Sequence, residues 1–211
     1  MKKTLLISIL LAGLLMNNIS AQVVLQDDFE TWTGIQAVSG WDGSATNINA
    51  TPDDSARKDS ISPYYGNYCV LLVNPTTSAK RFSTQPLSVI AGNVYNIRFW
   101  AKGAGSIRTG LDGVKHSTGF GYEYNSYIVI NSTIWQVYNQ ELMADSTNPN
   151  AQFLFSVKST VAGSGNLAID SVTITIVGTA SNQSLYNVQY TTASPANSPF
   201  MNQYVTTGCV H

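Results

Sequence analysis

Trp100 lies in the run Gly92-Asn-Val-Tyr-Asn-Ile-Arg-Phe-Trp-Ala-Lys102, which alternates strictly. In an extended strand this puts Asn96, Arg98, Trp100 and Lys102 on one face and Tyr95, Ile97, Phe99 and Ala101 on the other. An indole beside an amide and a guanidinium has the composition of a sugar subsite. Apolar C–H faces of a pyranose stack on flat rings, while Asn and Arg hydrogen-bond its hydroxyls. Tyr122, Tyr124 and Tyr127 follow close to the next strands and extend such a platform. If the long 34–59 loop covers Trp100, the same indole is simply packing, and the residues alone leave both readings open.

Catalysis finds little footing. The two histidines are His116, beside Lys115 and Ser117, and the last residue, His211; no nucleophile elbow or acid partner accompanies either. Metal motifs of the His-Glu-x-x-His or Cys-x-x-Cys kind are absent from the sequence. Glycosidase chemistry needs two placed carboxylates. Glu123 and Glu141 pair only on paper, so no enzyme is expected. Formal net charge is −1 over 211 residues, and removing Lys2 and Lys3 leaves nine basic against twelve acidic residues. No basic footprint for nucleic acid is expected from that balance.

The elements that must position these groups are strands. Met1-Lys-Lys, an apolar run from Leu5 to Met16, and Ile19-Ser-Ala read as a secretory signal peptide over 1–21, which predicts a secreted or cell-surface protein with no membrane span after cleavage. Gln22-Val-Val-Leu-Gln-Asp-Asp-Phe-Glu30 opens the mature chain as a short strand ending in acidic residues, followed by a Gly/Ser/Asn/Asp-rich loop over 34–59 whose large apolar anchor is Trp41. Strands are then predicted over Tyr68–Val73, Phe82–Ile90 (weakened by Pro86), Gly92–Lys102, Ile107–Leu111, Tyr127–Ile130, Ile134–Leu142, Ala151–Lys158 and Leu167–Val177. In the last, Leu167 and Ile169 share one parity and Val172, Ile174 and Ile176 the other; a β-bulge at Asp170-Ser171 returns both groups to the core. Cys69, in an apolar strand, reads as a buried free thiol rather than a partner for Cys209. About eight or nine strands with turn signals between them make an all-β, two-sheet antiparallel jelly-roll sandwich.

Asp28-Phe-Glu30, Trp41, Gly66-Asn-Tyr68, Gly92-x-x-Tyr95-x-x-x-Phe99-Trp-Ala-Lys102, Trp135 and Leu167-Ala-Ile-Asp-Ser-Val-Thr-Ile174 occur in that order. Together they resemble the family 4, 9 and 22 type carbohydrate-binding modules, which are galactose-binding-like jelly rolls, over roughly 25–177. The resemblance implies a domain over 22–178, a polysaccharide or glycan partner, and a structural calcium where the first and last strands approach, with Glu30, Asp170 and Asp28 as ligands. Hard cations take carboxylate and carbonyl oxygens. Val188-Gln-Tyr190, Ser198-Pro-Phe200 and Tyr204-Val-Thr-Thr-Gly208 resemble the opening of an OB-like module found in exported proteins of the type IX secretion system, so 179–211 reads as a linker and a truncated second module. Three readings follow: a secreted, monomeric, non-catalytic carbohydrate-binding module; a structural or adhesion spacer; or the N-terminal fragment of an exported nuclease or phosphoesterase.

Overall fold

The computed structural model describes residues 21–48, 54–114, 121–161 and 165–179. The signal peptide, His116, Cys209, His211 and the tail over 180–211 lie outside the described residues. Those described are all-β: β1 (Gln22–Asp27), β2 (Trp32–Gly34), β3 (Ala37–Val38), β4 (Ser55–Asp59), β5 (Cys69–Val73), β6 (Lys80–Ser83), β7 (Leu87–Val89), β8 (Asn93–Asp112), β9 (Tyr122–Tyr124), β10 (Ile128–Met143), β11 (Asn148–Lys158) and β12 (Asn166–Thr179).

Ten of these strands form one hydrogen-bonded antiparallel sheet that curls on itself into the two packed layers expected of the sandwich. The reason lies in β8 and β10. Gly103-Ala-Gly-Ser, read as a break, lies inside a continuous strand of 20 residues. Gly103 adopts φ +117°, and a Cβ there would fall 2.1 Å from the Asn166 carbonyl oxygen, so glycine lets the strand bend without ending. The first half of β8 pairs with β12 and its second half with β11, while β10 follows its other edge from Val94 to Ile107 and β9 pairs with Gly110–Asp112. One layer is thus β4-β5-β12 with the first half of β8, and the other is β6-β11 with its second half.

Alternation packs the two layers together. Tyr95, Ile97, Phe99, Ala101, Ile107 and Leu111 of β8 are buried, as are Phe153, Phe155 and Val157 of β11. The Phe99 and Phe155 rings meet edge to face at 5.0 Å, and Tyr95 meets Phe153 at 5.4 Å. Trp41, the anchor of the 34–59 loop, is itself core. It stacks on Phe82 at 5.0 Å and Phe155 at 5.7 Å, and its indole N–H donates to Asp27 Oδ2 at 2.8 Å. That loop is less open than expected, because Ser55–Asp59 is a strand on the sheet edge beside β5.

The bulge in the last strand is present. Asp170 faces Trp100 and Thr173 faces Arg98, so Ser171 and Val172 together oppose Phe99, one residue more than the ladder needs, and Ser171 takes φ 48°. Leu167, Ile169, Val172 and Ile174 all reach the core as a result. Cys69 is a buried free thiol whose pKa is pushed up to about 12, first by burial and then by the nearby Asp59 and Asp170.

Candidate functional site

The outward residues fall into two aromatic groups, one on each layer. The first surrounds Trp100, and its cover is the 60–68 loop rather than the 34–59 loop. Tyr64 stacks on the indole at 3.8 Å with 16° between planes, and Trp135 meets Tyr64 edge-on at 6.2 Å. Lys102 Nζ and Trp135 Nε1 both donate to the Ser62 carbonyl, at 2.7 and 3.0 Å. Trp100 therefore spends a ring face on its own chain and is not the open platform that alternation suggested. Arg98 is exposed, with its guanidinium 5.9 Å from the indole, and Asn96 keeps its Oδ1 buried without an acceptor's partner. Trp100→Ala is expected to lower stability by about 2 kcal/mol, less than for a fully buried indole. A urea titration measures this, and an unchanged midpoint would show that the Tyr64 stack contributes nothing.

Two carboxylates hold that loop from below. Asp170, fully buried at the bulge, accepts the N–H groups of Tyr64 and Tyr65 on Oδ2 at 2.8 and 3.1 Å, and that of Ser171 on Oδ1 at 2.7 Å. Burial pushes its pKa up, against the pull of those donors, and Glu30 pushes it further. Glu30 Oε1 accepts the N–H groups of Asn67 and Tyr68 at 2.8 and 2.9 Å, and Oε2 accepts the Asn67 side chain at 3.2 Å. Desolvation raises its carboxyl, but these donors outweigh it and leave the pKa lowered. Asp28 borders a hollow of about 830 Å³ that Ser171 also lines, and among the described residues accepts a long 3.4 Å bond from the Glu30 N–H. Among the described residues, no group of three or more His, Cys, Asp or Glu gathers as a metal cluster would.

The second group lies on the outer face of the β6-β11-β8 layer. Tyr122 and Tyr124, expected in a loop, form β9 against Gly110–Asp112 of β8. Their rings lie 5.6 Å apart and 19° from parallel. Gly110 makes the seat, since a Cβ there would stand 2.6 Å from the Tyr124 ring and 2.9 Å from Leu154. Arg81 of β6 and Arg108 of β8 both oppose Ser156 of β11. The Arg81 guanidinium sits 4.7 Å over Tyr122, while that of Arg108 lies 3.8 Å from Tyr124 and 4.4 Å from Tyr127. Lys158 Nζ lies 4.4 Å from Tyr127, whose hydroxyl meets Ser156 Oγ at 3.0 Å. Burial raises the Tyr124 phenol, with Arg81 and Arg108 pulling it back.

The sequence reading named Tyr122, Tyr124 and Tyr127 but missed Arg81, Arg108 and Lys158. A signal was there: with only 11% charged residues, lone cations set opposite core positions of predicted strands mark an outward polar face.

No protein-family model matches the chain, and no curated protein matches it. Solved structures do share its fold. The CBM22-1 xylan-binding domain of Paenibacillus barcinonensis Xyn10C superposes with a TM-score of 0.54 at 14% identity, covering 76% of this chain and 98% of that one. The MgGH51 α-L-arabinofuranosidase gives 0.54 at 13% identity over 74% of this chain and 26% of the enzyme. The CBM22-1–GH10 modules of Clostridium thermocellum xylanase 10B, complexed with xylohexaose, give 0.53 at 16% identity, covering 75% and 29%. At these identities the likeness establishes the fold, and the chain is an all-β antiparallel sandwich of the kind used by family 22 carbohydrate-binding modules.

Proposed function

We propose that this chain is a non-catalytic carbohydrate-binding module whose ligand lies on the tyrosine face of the β6-β11-β8 layer. The observation that carries the reading is the near-parallel Tyr122–Tyr124 pair, flat rings on a sheet surface bordered by guanidinium, ammonium and hydroxyl donors. Sugar C–H faces stack on such rings, and each ring adds on the order of 1 kcal/mol beyond area burial. Weak binding in the micromolar to millimolar range follows. The fold shared with xylan-binding domains supports the same direction. In affinity electrophoresis through soluble polysaccharides, the wild type is expected to be retarded and Tyr122→Ala to lose about tenfold in affinity with little change in melting temperature. A wild type retarded by no polysaccharide would leave the spacer or adhesion reading instead. The sequence of residues 1–21 supports export of the module.

A structural calcium belongs to the same proposal. Glu30 has three N–H donors on its two oxygens, and Asp170 has three N–H donors and a long 3.5 Å bond from the Ser171 hydroxyl; a carboxylate has about four acceptor positions, so Glu30 keeps oxygen capacity for a hard cation and Asp170 would gain it by releasing Ser171. Backbone carbonyls would supply the other ligands. Calcium at 100-fold above its dissociation constant adds about 2.7 kcal/mol to stability. Chelation is expected to lower the melting temperature of the wild type but not of Asp170→Ala. Equal melting with and without chelator would remove the ion from the reading.

A further inference from the structure

We infer that the tyrosine face selects an anionic polysaccharide, one bearing uronate carboxylates or sulfate esters, over a neutral one; this rests on the carbohydrate reading of that face. The chain has only eleven Lys and Arg, yet three of them, Arg81, Arg108 and Lys158, converge on three neighbouring tyrosines. Among the described residues the ion pair is Lys80–Asp54, and none of the three cations is paired with a carboxylate. Asp112 and Glu123 are the carboxylates on the paired β8 and β9 segments, so the three cations outnumber them in a chain of net charge −1.

The donors are also ordered before a ligand arrives. Arg108 is held between the Tyr124 and Tyr127 rings, and its buried Nε has no acceptor among the described residues. Arg81 is tied by its Nε to the Ala45 carbonyl at 3.0 Å, while its guanidinium lies over Tyr122 and donates a hydrogen bond to the Tyr124 hydroxyl. A guanidinium fixed by stacking loses little freedom on binding, and its planar fork matches carboxylate or sulfate oxygens. Guanidinium and ammonium groups only donate hydrogen bonds; a neutral sugar hydroxyl accepts but also brings a donor that these cations cannot satisfy, whereas an ionised carboxylate or sulfate only accepts. The two arginines flank Ser156 two strand spacings apart, roughly 10 Å, so an extended charged chain meets both. Aromatic rings with cations also suit single-stranded nucleic acid, but that calls for a groove of positive charge along the backbone rather than three cations on a net acidic chain.

The test titrates the full chain against polygalacturonate and its methyl ester, a sulfated galactan and its desulfated form, and a single-stranded oligonucleotide. At low salt the charged member of at least one glycan pair is expected to bind tenfold or more tighter than its neutralised partner. The gap should shrink to a few-fold in 1 M salt, where the Debye length is about 3 Å. Which pair responds tells uronate from sulfate. Lys158→Gln, which leaves the Arg108 sandwich intact, and Arg108→Gln should each erase most of that preference, while Arg57→Gln on the exposed β4 edge should not. Equal binding of charged and neutral glycans would overturn the anionic selectivity and leave the carbohydrate reading standing. No glycan bound by a folded chain would overturn both. An equal loss in Arg57→Gln, or tighter binding of the oligonucleotide, would also overturn the inference.

Discussion

Trp41→Ala is expected to cost about 3–5 kcal/mol, as truncation of a buried aromatic does. Total stability of a domain is about 5–15 kcal/mol, so the loss takes a third or more of it unless the domain is among the most stable. The substitution removes the ring that touches Phe29, Phe82 and Phe155 together and strands the Asp27 carboxylate that accepts its N–H. A urea titration reads the loss directly; a change below about 1 kcal/mol would mean that the loop carrying Trp41 does not complete the core. A second consequence reaches the tyrosine face. Residues following Trp41 hold Arg81 through the Ala45 carbonyl, so glycan retention should weaken under conditions where the variant is still folded.

Asp170→Ala carries the other large effect, about 2–3 kcal/mol. It leaves the N–H groups of Tyr64, Tyr65 and Ser171 without their acceptor, and bonds to a charged group contribute more than neutral ones. Asp170→Asn should fall between, because its amide oxygen still accepts an N–H and the buried charge is gone. Faster hydrogen exchange confined to residues 60–68 in the alanine variant would locate the damage in the loop over Trp100. Wild-type protection there would sink the assignment.

What the sequence made legible was direction along a strand. Parity alone sent Phe153, Phe155 and Val157 inward, and the break at Asp170-Ser171 read correctly as a bulge because only an inserted residue reconciles Ile169 with Val172 and Ile174. Coverage was not legible. Alternation pointed Trp100 outward, but nothing in strand periodicity says that Tyr64, 36 positions earlier, folds back onto it. Gly103-Ala-Gly-Ser read as a stop because glycine punctuates strands, while here the same freedom bends one. The tyrosine face was half visible. Tyr122 and Tyr124 stood out as neighbours, whereas Arg81, Arg108 and Lys158 come from three strands whose pairing is set by the whole sheet. Ser55–Asp59 hid for another reason: an edge strand with Arg57 exposed and Ser55 buried carries no hydrophobic period.

The twenty-residue strand that threads both layers has a mechanical meaning. A sandwich built from two independent sheets can lose one and keep the other, but here each layer borrows its central rod from the same stretch of backbone. Neither half can melt alone. Pulling Asn93–Asp112 out of register would dissolve the pairing of β9, β10, β11 and β12 in one event, so unfolding should be all-or-none and assembly slow, waiting on partners distant along the chain.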